Sequence, residues 1–145
     1  MGIIQTAEQF SLGREVAIKR VKPGKHDAMF SARLHGEAAL LGHLDHPNIP
    51  PVHLLGMDEG GRPALVMKRI TGVPWKAMVR NPDHRAWQRV KGERIPWLIR
   101  VFIQVCHAVE YAHSRGILHL DIKAENIMIG EYGEVYLIDW GISEW

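Results

Sequence analysis

The chain has little cysteine and no long apolar run. Cys106 is its only cysteine, so no disulfide can form within the 145 residues, and a reducing cytoplasm is the expected location. The most apolar stretch, residues 97–109, is interrupted by Arg100 and Gln104. It therefore falls short of the roughly 20 apolar residues that a membrane-spanning helix needs. The sequence predicts a cytoplasmic protein that does not span a membrane.

An excess of charge of one sign is also missing. The 18 Lys and Arg residues against 16 Asp and Glu residues leave a formal net charge of +2. This charge is too balanced to indicate binding to nucleic acid or to an anionic membrane surface. Hydrophobic residues make up 46% of the chain, which is enough for one core and unlike the composition of a disordered chain. We expect a folded domain whose partners are neither nucleic acids nor membranes.

The N-terminal part carries signals for a hairpin and a helix. Residues 3–4 and 16–18 are mostly β-branched, and a turn at Gly13 separates them, so we predict two paired strands. Between residues 29 and 44 the apolar residues recur every three or four positions, which predicts one face of a helix. The residues on this face are Phe30, Leu34, Ala38, Leu41 and Leu44.

A second hairpin is predicted by residues 52–55 and 64–67, because glycines suited to a tight turn lie between these two apolar runs. After residues 69–72 the composition changes from strand-like to helical. We therefore predict two parts, a sheet with one helix over residues 1–69 and a mainly helical part over residues 70–145.

The second half begins with a predicted short helix over residues 75–80 and a polar stretch, residues 81–94, which we interpret as an exposed loop. A long helix follows and ends at Gly116. Residues 126–129 and 135–138 predict a final hairpin. The apolar stripe of the long helix consists of Leu98, Val101, Phe102, Val105, Val109 and Ala112.

Charged and amide side chains flank this final hairpin. Asp121, Lys123 and Asn126 precede or begin its first strand, and Asp139 follows its second. Because a hairpin brings its two ends together, we expect Asn126 and Asp139 to lie side by side. Amide and carboxylate oxygens are the hard ligands that magnesium prefers. The pattern therefore predicts a site for a metal ion and a highly charged phosphate substrate.

Three motifs, in this order, resemble those of serine/threonine protein kinases, with bacterial kinases the most similar. Residues 16–19 read V-A-I-K, residues 119–126 follow H-R-D-L-x-x-x-N except for Leu in place of Arg, and residues 139–141 read D-W-G in place of D-F-G. The resemblance covers nearly the whole chain. It implies an α+β, kinase-like fold: an N-lobe lacking its first strand, a hinge, and the first part of the helical C-lobe.

The resemblance also implies ATP and Mg²⁺ as ligands and a protein hydroxyl as the phosphate acceptor. By this reading Asp121 accepts the proton of the substrate hydroxyl and Lys123 contacts the transferred phosphate. Asn126 and Asp139 hold magnesium, and Lys19 holds the α- and β-phosphates of ATP. The chain is then an enzyme, an ATP-dependent serine/threonine protein kinase.

Further positions match the nucleotide pocket of the family. Glu37 lies on the apolar face of the predicted helix, and a buried carboxylate needs a cation, for which the kinase pattern implies Lys19. Leu41, His119 and Trp140 match members of the stacked spine between the lobes, so we interpret His119 as a packed core residue. The positions that match the adenine pocket, its gatekeeper and its hinge are Ile4, Ala17, Met67, Lys68, Ile70 and Met128.

Two alternatives stay open. The matched region ends before the activation segment and the substrate-binding helices of a kinase, so the chain can also be read as an inactive, ATP-binding interaction or assembly module. Small-molecule phosphotransferases share the H-x-D-x-x-x-x-N loop and often an Asp-Trp pair, although Lys123 and Gly141 favour protein kinases. The long helix is expected to expose an apolar face, which favours self-association or a covering partner.

Overall fold

The computed structural model describes residues 2–22, 24, 27–141 and 143–144. It contains a four-stranded sheet of order β1-β2-β4-β3 and a three-stranded sheet of order β5-β6-β7, both antiparallel. The strands are β1 (Gly2–Gln9), β2 (Arg14–Val21), β3 (Val52–Met57), β4 (Pro63–Lys68), β5 (Gly72–Pro74), β6 (Ile127–Gly130) and β7 (Val135–Leu137). The α-helices are α1 (Asp27–Gly42), α2 (Trp75–Arg80) and α3 (Arg94–Ser114).

The two hairpins predicted for the first sheet are confirmed. Strands β1 and β2 pair so that Ile4 lies opposite Lys19 and Thr6 lies opposite Ala17. One 3-10 turn (Phe10–Leu12) connects them and ends at Gly13, whose φ of 58° is in the left-handed region that glycine adopts without strain. Because side chains alternate along a strand, Ala17 and Lys19 point to the same face of the sheet.

Helix α1 packs on the first sheet by the face that its apolar spacing predicts. Leu34, Ala38 and Leu41 are buried, and Leu44 is buried just beyond the end of the helix. Leu65 of β4 lies in the same core and is fully buried. Glu37 lies on the same face and is also buried, so the helix holds this carboxylate against β2, an inner strand of the sheet.

The second sheet contains one strand that the sequence did not predict. The hairpin β6–β7 is confirmed, but β5 pairs with the other edge of β6, with Gly72 opposite Gly130. A Cβ atom on Gly72 would lie only 2.1 Å from the Ile129 carbonyl oxygen, so only glycine fits there. Glycine and proline bound this three-residue strand, and both residues normally indicate a turn.

The interpretation of residues 81–94 as an exposed loop is wrong in part. A 3-10 helix (Arg85–Arg89) lies within it, and Ala86 is buried. The Trp87 indole Nε1 donates a hydrogen bond to the Met78 carbonyl oxygen at 3.0 Å, and its ring packs edge-on against Trp97 at 5.3 Å. Two apolar residues among polar neighbours carry no periodic signal, so the sequence pattern missed this contact.

Helix α3 is confirmed, but its predicted stripe is wrong at one position. Val101, Val105, Ala108 and Ala112 form the buried face, whereas Phe102 is 57% exposed. Each residue advances about 100° around the helix axis, so Phe102 lies well off the buried line, while Ala108 lies on it. None of the helices that the described residues form is both long and apolar enough to cross a membrane.

The difference in burial between Val105 and Phe102 predicts that substitutions at these two positions of α3 change stability by different amounts. We expect Val105→Ala to lower the free energy of unfolding by about 2 kcal/mol, because it opens a cavity in the core. Phe102→Ala should change it by less than about 1 kcal/mol, as is usual at exposed positions. Urea unfolding of the two variants beside the parent chain measures both values. A larger loss for Phe102→Ala than for Val105→Ala would contradict the assigned burial.

Candidate functional site

A cleft of about 680 Å³ lies between the two sheets. Strands β1, β2 and β4 form one wall, and the ends of the β6–β7 hairpin form the other. The six residues predicted for the adenine pocket, its gatekeeper and its hinge all line this cleft, together with Lys19, Glu37, Asn126 and Asp139. The six predicted residues are Ile4, Ala17, Met67, Lys68, Ile70 and Met128.

An ion pair joins β2 to α1 at the inner end of the cleft. Lys19 Nζ lies 2.7 Å from both carboxylate oxygens of Glu37, so the predicted pair is present. The Glu37 side chain is 6% exposed. Burial raises the pKa of Glu37, and Lys19 opposes this rise by stabilising the charged carboxylate. The pair therefore holds the lysine amine at a fixed place.

The segment after β7 closes against this ion pair. Asp139 Oδ1 lies 3.6 Å from Lys19 Nζ. A Cβ atom on Gly141 would lie 3.2 Å from Glu37 Oε2 and 3.4 Å from Asp139 Oδ1. Because a larger residue would crowd both carboxylates, glycine at this position allows the close approach of the segment to α1.

The loop before β6 gathers hydrogen bonds on one carboxylate oxygen. Lys123 Nζ donates to Asp121 Oδ2 at 2.6 Å, and Asn126 Nδ2 donates to the same oxygen at 2.9 Å. The hydrogen bond from Lys123, with the smaller contribution of Asn126, lowers the pKa of Asp121. The same contact raises the pKa of Lys123. Both groups therefore carry their charges at neutral pH.

Two non-glycine residues of the site have left-handed backbone conformations. Leu120 has a φ of 64° and Asp139 a φ of 63°, a region that costs an ordinary residue about 1 kcal/mol or more. Leu120 itself is exposed, as is Ile122 on the other side of Asp121. These conformations redirect the chain just before Asp121 and at Asp139. Asp139 lines the cleft, whereas Asp121 and Lys123 do not.

His119 has the packed core position that the sequence predicts. It is buried, and its ring lies 4.4 Å from the ring of Trp140. Its Nδ1 accepts a hydrogen bond from the Asp121 amide, so its Nε2 donates to the Ile138 carbonyl oxygen at 3.0 Å. Burial lowers the pKa of His119. The neutral ring therefore connects the loop at Asp121 with the segment that leads to Asp139.

The donor set fits a magnesium ion. Asn126 Nδ2 is used by hydrogen bonds to the carbonyl oxygen and to Oδ2 of Asp121, which leaves its Oδ1 for a metal. The Asp139 side chain lines the cleft and is 53% exposed to solvent. Within the described part of the chain, no three His, Cys, Asp or Glu residues form a metal cage. Two protein ligands suit Mg²⁺, which normally keeps waters and binds substrate phosphates.

Some cleft residues were not predicted from the sequence. Gly2 and Thr6 line the cleft with Ile4, and the period-2 alternation of β1 could have identified them. An ion pair between Arg69 and Glu15, at the start of β2, also escaped prediction, because its partners are far apart in sequence. The side-chain amine of Lys68 lies over the ring of Tyr136 at 5.1 Å.

Comparisons with known proteins agree with this geometry. The family description "Protein kinase domain" matches residues 1–145. Serine/threonine-protein kinase PknD of Protochlamydia amoebophila is 34% identical to this chain over 152 aligned residues. The alignment covers 99% of this chain and 15% of that protein. Serine/threonine-protein kinase PknD of Chlamydia trachomatis serovar D is 32% identical and covers 99% of this chain and 16% of that protein. The chain thus spans about one sixth of the length of these relatives.

Lys123→Met tests whether the contact between Lys123 and Asp121 stabilises the charged form of the Asp121 carboxylate. We expect the pKa of Asp121 to rise towards its ordinary range, because the main hydrogen bond to its charged form is lost. In the parent chain the depressed pKa adds stability above the ordinary carboxylate pKa, and this stability is lost as pH falls through the depressed value. An NMR titration of carboxyl carbons measures the shift.

Lys76→Met is the matched control for this titration. Lys76 of α2 pairs with Glu125, which lies in the same loop as Asp121 and Lys123, and that contact lowers the pKa of Glu125. The control should therefore raise the pKa of Glu125 and leave Asp121 unchanged. If Asp121 titrates alike in the Lys123→Met variant and the parent chain, Lys123 does not hold its charge.

Proposed function

This chain belongs to the protein kinase family, and we propose that it binds ATP with magnesium and transfers the γ-phosphate to a serine or threonine hydroxyl of a protein. One observation carries the proposal. An amine fixed by α1 and carboxylate and amide groups from the β6–β7 hairpin line the same cleft, with Lys19 Nζ 3.6 Å from Asp139 Oδ1. Phosphoryl transfer needs such positioned charges around the phosphates.

We assign the nucleotide to the cleft as follows. In this assignment the small lobe is residues 1–69 and the large lobe is residues 70–145. Lys19 contacts the α- and β-phosphates, because Glu37 holds its amine towards the cleft. The apolar walls of the cleft take the adenine ring. These walls comprise Ile4, Ala17, Met67, Ile70 and Met128, with the backbone of Lys68 at the hinge.

Asn126 and Asp139 are the proposed metal ligands. When bound, magnesium neutralises negative charge on the phosphate oxygens and orients them. Asn126 offers the amide oxygen that its hydrogen bonds to Asp121 leave unused. The Ile138 amide donates to the Asn126 carbonyl oxygen at 2.8 Å, and this bond holds together the two ends of the hairpin that carry the ligands.

Asp121 is the proposed acceptor of the hydroxyl proton. Among the described residues, the hydrogen bonds that Lys123 and Asn126 donate to its carboxylate both go to Oδ2, so we assign Oδ1 to the substrate hydroxyl. As the hydroxyl oxygen bonds to phosphorus and the bond to ADP breaks, the hydroxyl proton passes to Asp121. Lys123 lies beside this carboxylate and supplies positive charge to the transferred phosphate.

Three substitutions separate these roles. Lys19→Ala should weaken ATP binding about tenfold or more, because the phosphates lose a cation. Asp139→Ala should remove the dependence of ATP binding on magnesium. Asp121→Asn should leave ATP binding and its magnesium dependence unchanged and lower the transfer rate by about 10²-fold or more. Calorimetry with and without magnesium and radiolabelled phosphate transfer measure these effects, with the exposed Lys91→Ala as control.

The same measurements decide between the alternatives. A parent chain that binds ATP with magnesium but transfers no phosphate is a nucleotide-binding module. Transfer to a small hydroxyl compound and to no protein substrate indicates a small-molecule phosphotransferase. Parent-like ATP binding and magnesium dependence in both Lys19→Ala and Asp139→Ala would refute the assigned site.

We also propose that a second copy or another partner covers the outer face of α3. This face carries four exposed apolar side chains, an unusual surface for a monomer. Cys106, also exposed, lies on the same helix. The single cysteine of the chain suits the reducing cytoplasm that we assign to the protein. The apolar residues of the face are Ile95, Ile99, Phe102 and Ile103.

The double substitution Ile99→Glu and Phe102→Glu should abolish concentration-dependent association in sedimentation experiments, because it places charge on the apolar face. ATP affinity should not change, since neither residue lines the cleft. Arg100→Glu on the polar side of the helix is the control. A parent chain that stays monomeric at all concentrations would contradict self-association.

A further inference from the structure

A second cavity, of about 180 Å³, lies between the hinge segment, residues 68–71, and the turn that joins β6 to β7. Two backbone contacts hold these segments together: Gly72 pairs with Gly130, and the Glu131 amide donates to the Thr71 carbonyl oxygen at 3.1 Å. A water molecule takes up about 30 Å³, so the cavity has room for a small molecule. Its polar lining includes Lys68, Arg69, Glu131, Glu134 and Tyr136.

This cavity is separate from the nucleotide cleft. Only the hinge residues Lys68, Arg69 and Ile70 line both spaces, whereas the turn after β6 and Tyr136 of β7 line the cavity alone. A molecule in the cavity would therefore contact a surface that the nucleotide assignment leaves unused.

The hydroxyl of Tyr136 has no hydrogen-bond partner within the described part of the chain. Tyr136 is 6% exposed and lines the cavity. A tyrosine as buried as this one normally bonds its hydroxyl to another group. The amine of Lys68 lies over the face of the ring, 5.1 Å from its centroid. The cavity is therefore the place where the hydroxyl can meet a partner.

Ion pairs neutralise two of the four charged groups in the lining. Arg69 pairs with Glu15, and Arg89 Nη2 lies 3.6 Å from Glu131 Oε1. Each of these pairs uses a partner from outside the cavity. The charges of Arg69 and Glu131 are thus balanced without a ligand.

The other two charged groups, Lys68 and Glu134, are opposite in sign. Lys68 Nζ has the Tyr136 ring beneath it and no carboxylate partner among the residues that the structure describes. Glu134 Oε2 accepts a hydrogen bond from the Tyr132 amide at 3.0 Å, and no described cation pairs with this carboxylate. The lining therefore offers one positive and one negative group to a ligand.

We propose that this cavity is a second ligand site, which binds a small zwitterion of the α-amino acid class. The carboxylate of the ligand accepts hydrogen bonds from the Lys68 amine and the Tyr136 hydroxyl, and its ammonium group donates to Glu134. Hydrogen bonds to charged groups are the strong ones, so three of them can hold a small molecule. Ile70 and the ring of Tyr132, which also line the cavity, suit an apolar side chain on the ligand.

Three related probes test the assigned chemistry. L-phenylalanine carries both charges, 3-phenylpropanoate lacks the ammonium group, and 2-phenylethylamine lacks the carboxylate. We expect phenylalanine to bind about tenfold or more tightly than either analogue, because each analogue leaves one charged group of the lining without a partner. An NMR titration of the nucleotide-free protein measures the three Kd values. The amide signals of residues 130–134 should shift, since these residues line the cavity and not the cleft.

Three substitutions test the contacts one at a time. Tyr136→Phe removes only the hydroxyl and should weaken phenylalanine binding about fivefold or more. Lys68→Met should weaken it about tenfold or more, because the carboxylate loses its cation. Glu134→Gln keeps the size of the side chain and should bring the Kd values of phenylalanine and 3-phenylpropanoate to within about threefold of each other.

Two matched variants serve as controls. Lys91→Met removes an exposed lysine, and Tyr111→Phe removes a hydroxyl that accepts a hydrogen bond from the Asp45 amide. Neither residue lines the cavity. Both variants should therefore bind phenylalanine with the Kd of the parent chain. A loss in either control as large as the loss in Tyr136→Phe would show a general effect on the fold and refute the assigned contacts.

Three results would overturn the proposal. The first is the absence of saturable shifts at residues 130–134 up to about 10 mM phenylalanine. The second is equal affinity of the parent chain for phenylalanine and 3-phenylpropanoate, which would exclude a zwitterion site. The third is parent-like affinity in both Tyr136→Phe and Lys68→Met. The titration contains no nucleotide, so its outcome does not depend on whether the chain binds ATP or transfers phosphate.

Discussion

The ion pair between Lys19 and Glu37 is the interaction on which the site depends. A carboxylate as buried as that of Glu37 is stable in its charged form only beside a cation, and Lys19 meets both of its oxygens at 2.7 Å. Loss of either partner from a buried pair typically costs about 3–5 kcal/mol, because it leaves a buried charge without a partner. The pair therefore fixes α1 against β2, and it also fixes the amine that faces Asp139.

Strained backbone occurs where the site needs it. Leu120 and Asp139 adopt left-handed conformations that most residues avoid. Each lies next to a buried anchor: His119 precedes Leu120 and Trp140 follows Asp139, and these two rings pack together. The anchors hold the chain on both sides of the strained residues. The packed rings thus maintain the directions in which the carboxylates of Asp121 and Asp139 leave the backbone.

The sequence predicted those features that depend on local periodicity. The spacing of Leu34, Ala38 and Leu41 placed Glu37 on the buried face of a helix, and the ends of a hairpin placed Asn126 near Asp139. The partner of Glu37, Lys19, came from the resemblance to kinases and not from periodicity. Contacts between distant segments gave no such signal. Strand β5 can pair with β6 because Gly72 has no side chain to clash with the Ile129 carbonyl oxygen. Trp87 is half-buried because its ring packs against Trp97 and its Nε1 donates to the Met78 carbonyl oxygen. These partners are defined only by the folded chain.

Two lysine–carboxylate pairs in the cleft region behave in opposite ways, and the difference lies in burial. Burial raises the pKa of Glu37, so its charge persists only while Lys19 stays close. Asp121 lies nearer to solvent, and Lys123 and Asn126 lower its pKa, so its charge persists independently of α1. Separation of α1 from β2 would therefore remove both the burial of Glu37 and its ion pair and would release the amine of Lys19, while the hydrogen bonds at Asp121 would persist. The position of α1 thus affects the half of the site that we propose binds phosphate more strongly than the half that we propose accepts the proton.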